Sequence, residues 1–233
     1  MNGFWAMAAR DWPPSYPAHH LIVSLGASNA NLLLTSGVLL REAIGSWGTL
    51  PCSHCRADAR VVYEGVNAIA LCTGEVGCPD ADLGPTPARA TMIAGDFHRR
   101  LAKALELDGQ PGREAVVTPL GRRRVGTEDV AFDLCSHPGR AEAMEALGRL
   151  VRGGPSVRVV LVPDLRRLPA DAPTEVAGVE VIWAGLNEVV LVGPELRVDL
   201  RPVLARRAFR GVAAVAAFDG LVVDANGASW QGR

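Results

Sequence analysis

The amino-acid sequence predicts an α/β fold, with a mixed α+β arrangement as the alternative. A small four-cysteine segment is expected inside or ahead of a layered α/β domain, and a β-hairpin is expected at the C-terminal end. Val157–Val162 is an almost continuous β-branched run, which is typical of a strand covered on both faces. A helix-spaced apolar segment at 138–152 lies between two strand-like segments, as α/β layering requires. Four of the five cysteines fall between Cys52 and Cys78.

The N-terminal residues predict an irregular arm followed by two short elements. Residues 1–18 are rich in proline and aromatic side chains. The large aromatic residues there could anchor a partner surface or pack on the protein's own core: Phe4, Trp5 and Trp12. Residues 21–25 predict a short strand, and Ser28 is placed to cap a helix from about residue 29 to residue 47.

The cysteine-bearing segment, residues 50–83, predicts a β-hairpin. Residues 60–64 and 68–72 alternate between apolar and polar side chains, and residues 65–67 between them have turn character. Residues 79–87 contain glycine and several prolines and predict a linker.

A helix is expected at residues 88–107, because its large apolar residues recur at helical spacing. These residues are Met92, Phe97, Leu101 and Leu105. Glycine and proline residues end this helix, and a boundary near residues 108–114 is plausible. We therefore predict an N-terminal region, 1–110, that holds the cysteine segment between helices, and an α/β domain, 111–233, that includes the terminal hairpin.

The predicted strands of the second half are short apolar runs at 116–120, 130–135, 157–162, 179–183 and 189–192. The predicted helix at 138–152 should present one apolar face, formed by Ala141, Met144, Leu147, Leu150 and Val151. Residues 221–224 and 229–231 are expected to pair around an Asn226-Gly227 turn.

Charge and hydropathy exclude some classes of protein. The net charge is −1, whereas a protein built around a duplex-binding face is usually basic, because neutralising phosphates drives its affinity. Residues 20–40 are apolar but contain too many Ser, Asn, Thr and Gly residues for a membrane-spanning helix. No basic segment typical of a signal peptide precedes them. We expect a soluble, cytoplasmic protein that does not contact membranes.

The cysteines carry the clearest chemical pattern. Cys52 and Cys55 form a CxxC pair, and Cys72 and Cys78 follow after a gap the size of a hairpin. A secreted disulfide framework normally uses an even number of cysteines in a smaller chain, so this pattern favours a metal. Zn²⁺ prefers four soft or borderline ligands in a tetrahedron, and two thiolate pairs would supply them. Cys135 ends an apolar run and is expected to be a buried, unreactive thiol.

On these residues, the segment at 50–83 resembles a zinc ribbon, a module found in transcription factors, ribosomal proteins and replication proteins. The resemblance implies one structural zinc ion held by the four cysteines. The second pair departs from the usual CxxC, because five residues separate Cys72 from Cys78. His54 could replace one cysteine, and His98 is a more distant substitute. Four free thiols, or a redox-active CxxC, are the alternatives, although a redox CxxC normally lies between a strand and a helix.

Two other stretches are similar to known families. Residues 130–192 resemble one half of a phospholipase-D-like domain, as used for ligand sensing in some bacterial regulators, but lack its catalytic His-x-Lys signature. Residues 218–233 are similar to the β-hairpin that opens the winged-helix domain of response regulators. The second resemblance implies either a remnant of such a domain or a simple terminal ribbon.

Taken together, the sequence favours a non-enzymatic accessory or regulatory protein that acts by binding a macromolecule, with a protein as the expected partner. A four-thiolate zinc site leaves no coordination position for hydrolysis. One alternative is an enzyme with a site at strand ends, where ligand sites tend to lie, built from Asp133, His137 or Asp164. Another is a DNA-binding regulator that uses Arg122–Arg124 and the cysteine segment, although the charges around the cysteines are net acidic.

Overall fold

The computed structural model describes residues 2–42, 49–52, 54–64, 67–74, 78–85, 89–152, 154–207, 209, 221–224 and 227–230. Within these ranges the chain is a mixed α/β protein with several sheets. Its seven α-helices there are α1 (Asn2–Ala8), α2 (Ala18–Leu25), α3 (Ala27–Thr35), α4 (Ala94–Ala104), α5 (Ala141–Leu150), α6 (Leu186–Val189) and α7 (Arg201–Leu204). The strands in the same ranges are β1 (Ser15–Pro17), β2 (Leu40–Glu42), β3 (Thr49–Pro51), β4 (Asp58–Glu64), β5 (Asn67–Cys72), β6 (Ala81–Pro85), β7 (Arg89–Thr91), β8 (Val117–Val125), β9 (Glu128–Cys135), β10 (Val157–Val162), β11 (Glu175–Val176), β12 (Val179–Gly185), β13 (Val190–Val192), β14 (Leu196–Val198), β15 (Leu221–Asp224) and β16 (Gly227–Trp230).

The largest sheet has five strands in the order β11-β12-β10-β9-β8. β10 pairs in parallel with β9 and β12, while β8 and β11 are antiparallel edge strands. Every residue of β10 is buried, which confirms the prediction of a strand covered on both faces. β-Branched side chains suit this position because they pack well on a pleated surface.

One face of this sheet is covered by α5. Its residues Ala143 and Leu147 pack in the same buried cluster as Val160 of β10. Leu165 and Val176, from the connection between β10 and β12, pack against that cluster too. Both connections between parallel strands therefore lie over the same face of the sheet.

The opposite face packs against the N-terminal helices. The first residues form helix α1, so the prediction of an irregular arm is wrong. Phe4 and Trp5 are 0% exposed, and the Trp5 ring lies 5.8 Å from the Phe97 ring of α4. Trp12 is partly buried and lies 5.8 Å from the same ring. Of the two alternatives for these side chains, the structure shows packing on the protein's own core, where they help to cover the sheet.

Two N-terminal elements differ from their predictions. Residues 21–25 belong to helix α2, because a short apolar run fits a buried helix as well as a strand. The helix predicted at residues 29–47 is the shorter α3, whose N-cap is Gly26 and not Ser28. Gly37 has a φ of 69°, a left-handed conformation that stops the helix before strand β2. The last residues of the predicted helix lie outside the described ranges.

The apolar stretch at residues 20–40 is divided among α2, α3 and the start of β2. Gly26, with a φ of 81°, separates the two helices. Within the part of the chain that the structure describes, no helix is long and apolar enough to cross a membrane.

A four-stranded antiparallel sheet, in the order β3-β4-β5-β6, carries the cysteines. β4 and β5 are the predicted hairpin strands, with Ala59 opposite Cys72, while Gly65 and Val66 of the predicted turn lie outside the described residues. The segment predicted as a linker contains β6, which pairs with β5. Pro85 is compatible with this strand because β6 is at the edge of the sheet, where a missing N–H is tolerated.

β2 and β7 pair directly, with Leu40 opposite Thr91 and Glu42 opposite Arg89. β7 also pairs with β1, which completes a three-stranded antiparallel sheet. The four strands of the sheet that carries the cysteine cluster, β3 to β6, therefore lie in chain order between β2 and β7, which are neighbours in space.

The helix predicted at 88–107 is shorter than expected, because β7 takes up its first residues. The core positions predicted on it are all buried: Met92, Phe97, Leu101 and Leu105. After α4, the N–H of Leu107 donates to the carbonyl of Ala102, and the N–H of Glu106 donates to that of Lys103. These two bonds form a Schellman cap, in which Glu106 has a left-handed φ of 54°.

The other predicted elements of the second half are present with shifted ends. The predicted strands correspond to β8, β9, β10, β12 and β13, and the predicted helix corresponds to α5. On α5 the buried face includes Ala143, while Ala141 is exposed. β15 pairs with β16, which confirms the C-terminal hairpin, although Asn226 lies outside the described ranges.

The division of the chain at residue 110 stays a prediction. One buried cluster contains side chains from both sides of that position, among them Leu101 and Leu105 together with Phe132 and Val159.

Replacing Glu106 by glycine should stabilise the protein by about 1 kcal/mol, because a left-handed φ costs an L-residue roughly that much and glycine adopts it freely. The midpoint of urea-induced unfolding measures the effect. Glu106→Ala is the matched control, since it also removes the exposed carboxylate, 3.4 Å from Arg123, but keeps the Cβ atom. An equal gain in both variants would show that the backbone conformation is not the cause.

Candidate metal centre

The sulfur atoms of Cys52, Cys55, Cys72 and Cys78 all lie within 4.8 Å of one another. All four are free thiols, and Cys52 is buried while the other three are partly exposed. The spacing in the sequence thus predicts the cluster that the structure forms. Four thiolates around a common centre are a suitable ligand set for one metal ion.

The first pair of cysteines sits on a tight turn between β3 and β4. The N–H of Cys52 donates to the carbonyl of Ala57 at 2.8 Å, and the N–H of Arg56 donates back to the carbonyl of Cys52 at 3.0 Å. Arg56 has a left-handed φ of 61°, which lets the chain reverse directly after Cys55. The N–H of His54 points to the sulfur of Cys52 at 3.5 Å. The turn therefore places both thiols on one side and aims an N–H dipole at one of them.

The second pair begins at the end of β5. Thr73 holds the chain against β4, because its N–H and its hydroxyl both donate to the carbonyl of Asp58, at 3.0 and 2.5 Å. The N–H of Gly74 points to the sulfur of Cys72 at 3.4 Å. A Cβ atom on residue 74 would lie 2.5 Å from the Cβ atom of Ala57, so glycine permits this close approach of the two turns. Cys78 returns to the cluster just ahead of β6.

The distances between the sulfur atoms are close to those expected around a tetrahedrally coordinated ion. Four sulfur atoms at about 2.3 Å from Zn²⁺ lie about 3.8 Å from one another. The sulfur atoms of Cys55 and Cys72 are 3.4 Å apart, and no pair in the cluster exceeds 4.8 Å. Small shifts of side chains would bring all four to one ion.

The neighbouring thiols influence one another's ionisation. The N–H groups of Cys55 and His54 lower the pKa of Cys52. For Cys72, the Gly74 N–H lowers the pKa, but the hydrogen bond with Cys55 and burial outweigh it, and the net shift is upward. Hydrogen bonding with Cys55, followed by burial, raises the pKa of Cys78 to about 12. Several thiolates in one place repel one another unless a cation lies among them.

Among the described residues, the buried cluster around the cysteines is made of small side chains. The cluster contains Ala59 and Ala70, with Ala81 packed against it. Three methyl groups bury little apolar area, and an isolated sheet of this size needs more than that to be stable. The sulfur atoms therefore hold the position that large apolar side chains hold elsewhere in the molecule.

The two histidines considered as substitute ligands do not join the described cluster. His54 is exposed on the turn, and His98 is buried in α4. Burial lowers the pKa of His98 to about 4, and its Nε2 atom has no hydrogen-bond partner.

The carboxylates considered for an enzyme site are both engaged by arginines. Asp133 is 0% exposed, and its Oδ2 atom accepts from Nη1 of Arg158 at 2.7 Å. Burial raises the pKa of Asp133, and Arg158 opposes the shift. Asp164 accepts from Nη2 of Arg166 at 2.8 Å, and these hydrogen bonds hold its pKa below the usual range.

His137 bonds to a different neighbour, the hydroxyl of Ser136, at 3.0 Å. Its pKa is lowered by burial and by the nearby Arg140. Cys135 is fully buried, as predicted, and burial raises its pKa to about 12. No hydrogen bond or ion pair in the described structure links His137 with either Asp133 or Asp164.

Arg158 was missed by the sequence analysis although a signal for it exists. It is the single charged residue in the apolar run of β10, and a buried charge needs a partner. It pairs with Asp133 on β9 and also donates to the carbonyl of Leu150 at the end of α5. The partners could not be named before the register of β9 on β10 was known.

The cationic runs are only partly free. Arg123 donates to the carbonyl of Leu105 at 3.0 Å, whereas Arg122 and Arg124 are exposed on the edge strand β8. Arg207 binds Glu128 and Glu180. Arg207 is therefore engaged by carboxylates of the protein itself.

An open cleft of about 410 Å³ lies beside α4, where the turn from β13 to β14 approaches it. Its charged lining is mixed: Arg100, Lys103, Glu106 and Glu195. No sequence motif includes these residues, so the pattern of the chain did not point to them.

Comparisons with known proteins give no match: no protein-family model, no curated protein and no solved structure matches the chain.

Removing the carboxylate of Asp133 should destabilise the protein by about 3 kcal/mol, because the Arg158 cation would remain buried without its counter-ion. Chemical unfolding of Asp133→Ala measures this loss. The double variant Asp133→Leu with Arg158→Met should be less destabilised than Asp133→Ala, since it buries no charge. A stability of Asp133→Ala equal to that of the unchanged protein would contradict the structural role.

The protein should lose stability as the pH falls from about 6.5 towards 4, in part through His98. In this range the unfolded chain takes up a proton on that ring, with its ordinary pKa of 6.5, while the folded protein, with a pKa of about 4, does not. Unfolding is therefore increasingly favoured as protons are added, and below about pH 4 this loss is complete. Thermal unfolding at several pH values should show a weaker pH dependence in His98→Gln. His20→Gln, which changes an exposed histidine, should keep the full dependence, and a full dependence in His98→Gln would contradict the assignment.

Proposed function

We propose that Cys52, Cys55, Cys72 and Cys78 bind one structural zinc ion in a module of the zinc-ribbon kind. We further propose that the protein is a non-enzymatic accessory or regulatory protein that acts by binding a protein partner. The observation that carries the proposal is the convergence of the four sulfur atoms within 4.8 Å.

Zinc is favoured by the chemistry of the ligands. Zn²⁺ imposes no geometric preference of its own, and structural zinc sites are almost always tetrahedral with cysteine or histidine ligands. Iron also binds to four thiolates, so an analysis of metal content must measure both elements. The N–H groups that point to the sulfur atoms of Cys52 and Cys72 would act together with the cation to stabilise the negative charge of the thiolates.

A structural role is supported by the composition of the surrounding sheet. In the part of this sheet that the structure describes, the cluster around the cysteines holds alanines and no larger apolar side chain. Binding of a metal ion to such a site contributes directly to the free energy of folding, because the unfolded chain has no preformed site. The ion would therefore replace a hydrophobic core in this part of the chain.

Binding rather than catalysis is supported by the ligand set. Four protein ligands leave no open position on the ion for water or substrate. The carboxylates Asp133 and Asp164, the strongest candidates for another kind of chemistry, are each paired with an arginine.

A protein partner with a basic surface fits the charge of the module. Among the described residues around the cysteines, the exposed Asp58, Asp80 and Asp82 outnumber the exposed Arg56 and Arg60. Negative charge on the surface around the cysteines repels phosphates, which favours a protein over a nucleic acid as the partner.

Metal analysis of the purified full-length chain tests the zinc site. We expect about one zinc ion per chain and little iron, and much weaker zinc binding in Cys52→Ser and in Cys72→Ser, because each variant lacks one of the four thiolate ligands. Cys135→Ala is the matched control, since Cys135 lies in the core of the other sheet and outside the cluster. Protein that contains no metal after purification under reducing conditions, and binds none on titration, would contradict the proposal.

Partner binding is tested by affinity capture from the source cells. A partner that recognises the module should be captured by the unchanged protein and by Cys135→Ala, but not by Cys52→Ser. Capture should weaken as the salt concentration rises, because charges at exposed surfaces are screened. Equal capture by all three proteins would show that the module is not the binding surface.

A further inference from the structure

Two of the four sulfur atoms come from opposite ends of the hairpin and lie side by side. Those of Cys55 and Cys72 are 3.4 Å apart although the residues are 17 positions apart in the chain. A disulfide between them needs the sulfur atoms to approach by only about 1.4 Å. The pair is thus closely placed for a cross-strand disulfide.

This pair is also reachable from solvent. Cys55 and Cys72 are partly exposed, whereas Cys52 is 7% exposed. Residue 74 is an exposed glycine, and a Cβ atom there would lie 3.3 Å from the sulfur of Cys55 and 3.6 Å from that of Cys72. Because such a Cβ atom would lie in contact with both sulfur atoms, a side chain at residue 74 would cover the pair.

From this geometry we propose that Cys55 and Cys72 form a peroxide-sensitive modification site, at which oxidation to a disulfide releases the zinc ion. The inference rests on the proposed zinc site. One thiolate attacks hydrogen peroxide, its sulfur gains an oxygen to give a sulfenic acid, and hydroxide leaves. The second thiolate attacks that sulfur, the S–S bond forms, and a second hydroxide leaves. Two electrons pass from the two sulfur atoms to the peroxide, and two hydroxide ions account for its oxygen atoms.

Loss of the ion follows from loss of the ligands. A disulfide sulfur is a poor ligand, so Cys52 and Cys78 alone would remain, and two thiolates do not complete a tetrahedral site. The described core of the sheet would then consist of Ala59, Ala70 and Ala81 around a single cross-strand link. The ends of the strands that the ion had held together would become less ordered.

The zinc-loaded full-length chain, treated with equimolar hydrogen peroxide, tests the proposal. A chromogenic zinc indicator follows release of the ion, and mass spectrometry of non-reduced peptides locates the disulfide. We expect one zinc ion released for each Cys55–Cys72 disulfide, and recovery of bound zinc after a dithiol reductant and Zn²⁺ are added. Cys135→Ala should behave like the unchanged protein. Zinc retained during oxidation, or a first disulfide between any other pair of cysteines, would overturn the proposal.

A matched pair of variants tests the route of access. Ala57→Gly with Gly74→Ala moves one methyl group across the contact between the two turns, which relieves the 2.5 Å approach of the two Cβ atoms and covers the sulfur pair. This double variant should keep its zinc but release it at least about threefold more slowly with peroxide, because oxidation follows exposure of the thiolate. Ala57→Gly alone should react as fast as the unchanged protein. An unchanged rate in the zinc-loaded double variant would overturn the proposed site.

The outcome also separates this inference from the proposed function. Protein that binds no zinc contradicts the zinc site itself. Protein that binds zinc through the four cysteines, but keeps it in peroxide, contradicts only the modification site.

Discussion

The structure depends on one constraint, which is that strand β10 must be covered on both faces. A parallel sheet in water needs a layer on each side, because its strands are apolar throughout. The layer on one side comes from α5 and from residues of the connection between β10 and β12, such as Leu165. The layer on the other side is drawn from residues far away in the sequence, including the aromatic residues of α1 and the apolar face of α4. Phe4 and Trp5 of α1 are therefore part of the interior.

The same constraint explains why a single charged pair lies inside the sheet. Arg158 occupies a strand that offers no path to solvent, so its guanidinium needs a carboxylate and a carbonyl within the protein. Asp133 and the last turn of α5 supply them. Together they fix the end of the helix over the sheet.

The parts of the fold that local pattern determines could be predicted from the sequence. Val157–Val162 is recognisable because such an apolar run is typical of a strand buried on both faces. The spacing of the cysteines likewise predicts that their four sulfur atoms lie close together.

The parts of the fold that long-range packing determines could not be predicted. Residues 21–25 are equally apolar as a strand or as a helix, and the aromatic side chains of the first residues do not reveal whether they bury against the chain or against a partner. Strand β6 was missed because its proline and glycine suggest a linker, and only its place at an edge makes them acceptable. The partner of Asp133 needed the strand register, which no local signal contains.

The molecule has two kinds of interior. Around β10, large apolar side chains interlock, and the loss of any one leaves a cavity. Around the cysteines, the side chains are small and the sulfur atoms occupy the centre. If the proposed ion is bound, the second kind of interior would depend on the supply of that ion and on the redox state of its ligands.

The direct pairing of β2 with β7 has a consequence for how these two interiors are connected. Glu42 lies opposite Arg89. The strand that precedes the cysteine-bearing sheet in the chain and the strand that follows it are therefore hydrogen-bonded neighbours. Unfolding of that sheet would leave β2 and β7 paired, because these two strands hydrogen-bond directly to each other. We therefore expect that a chain in which a tight turn joins Glu42 directly to Arg89 keeps the rest of the fold.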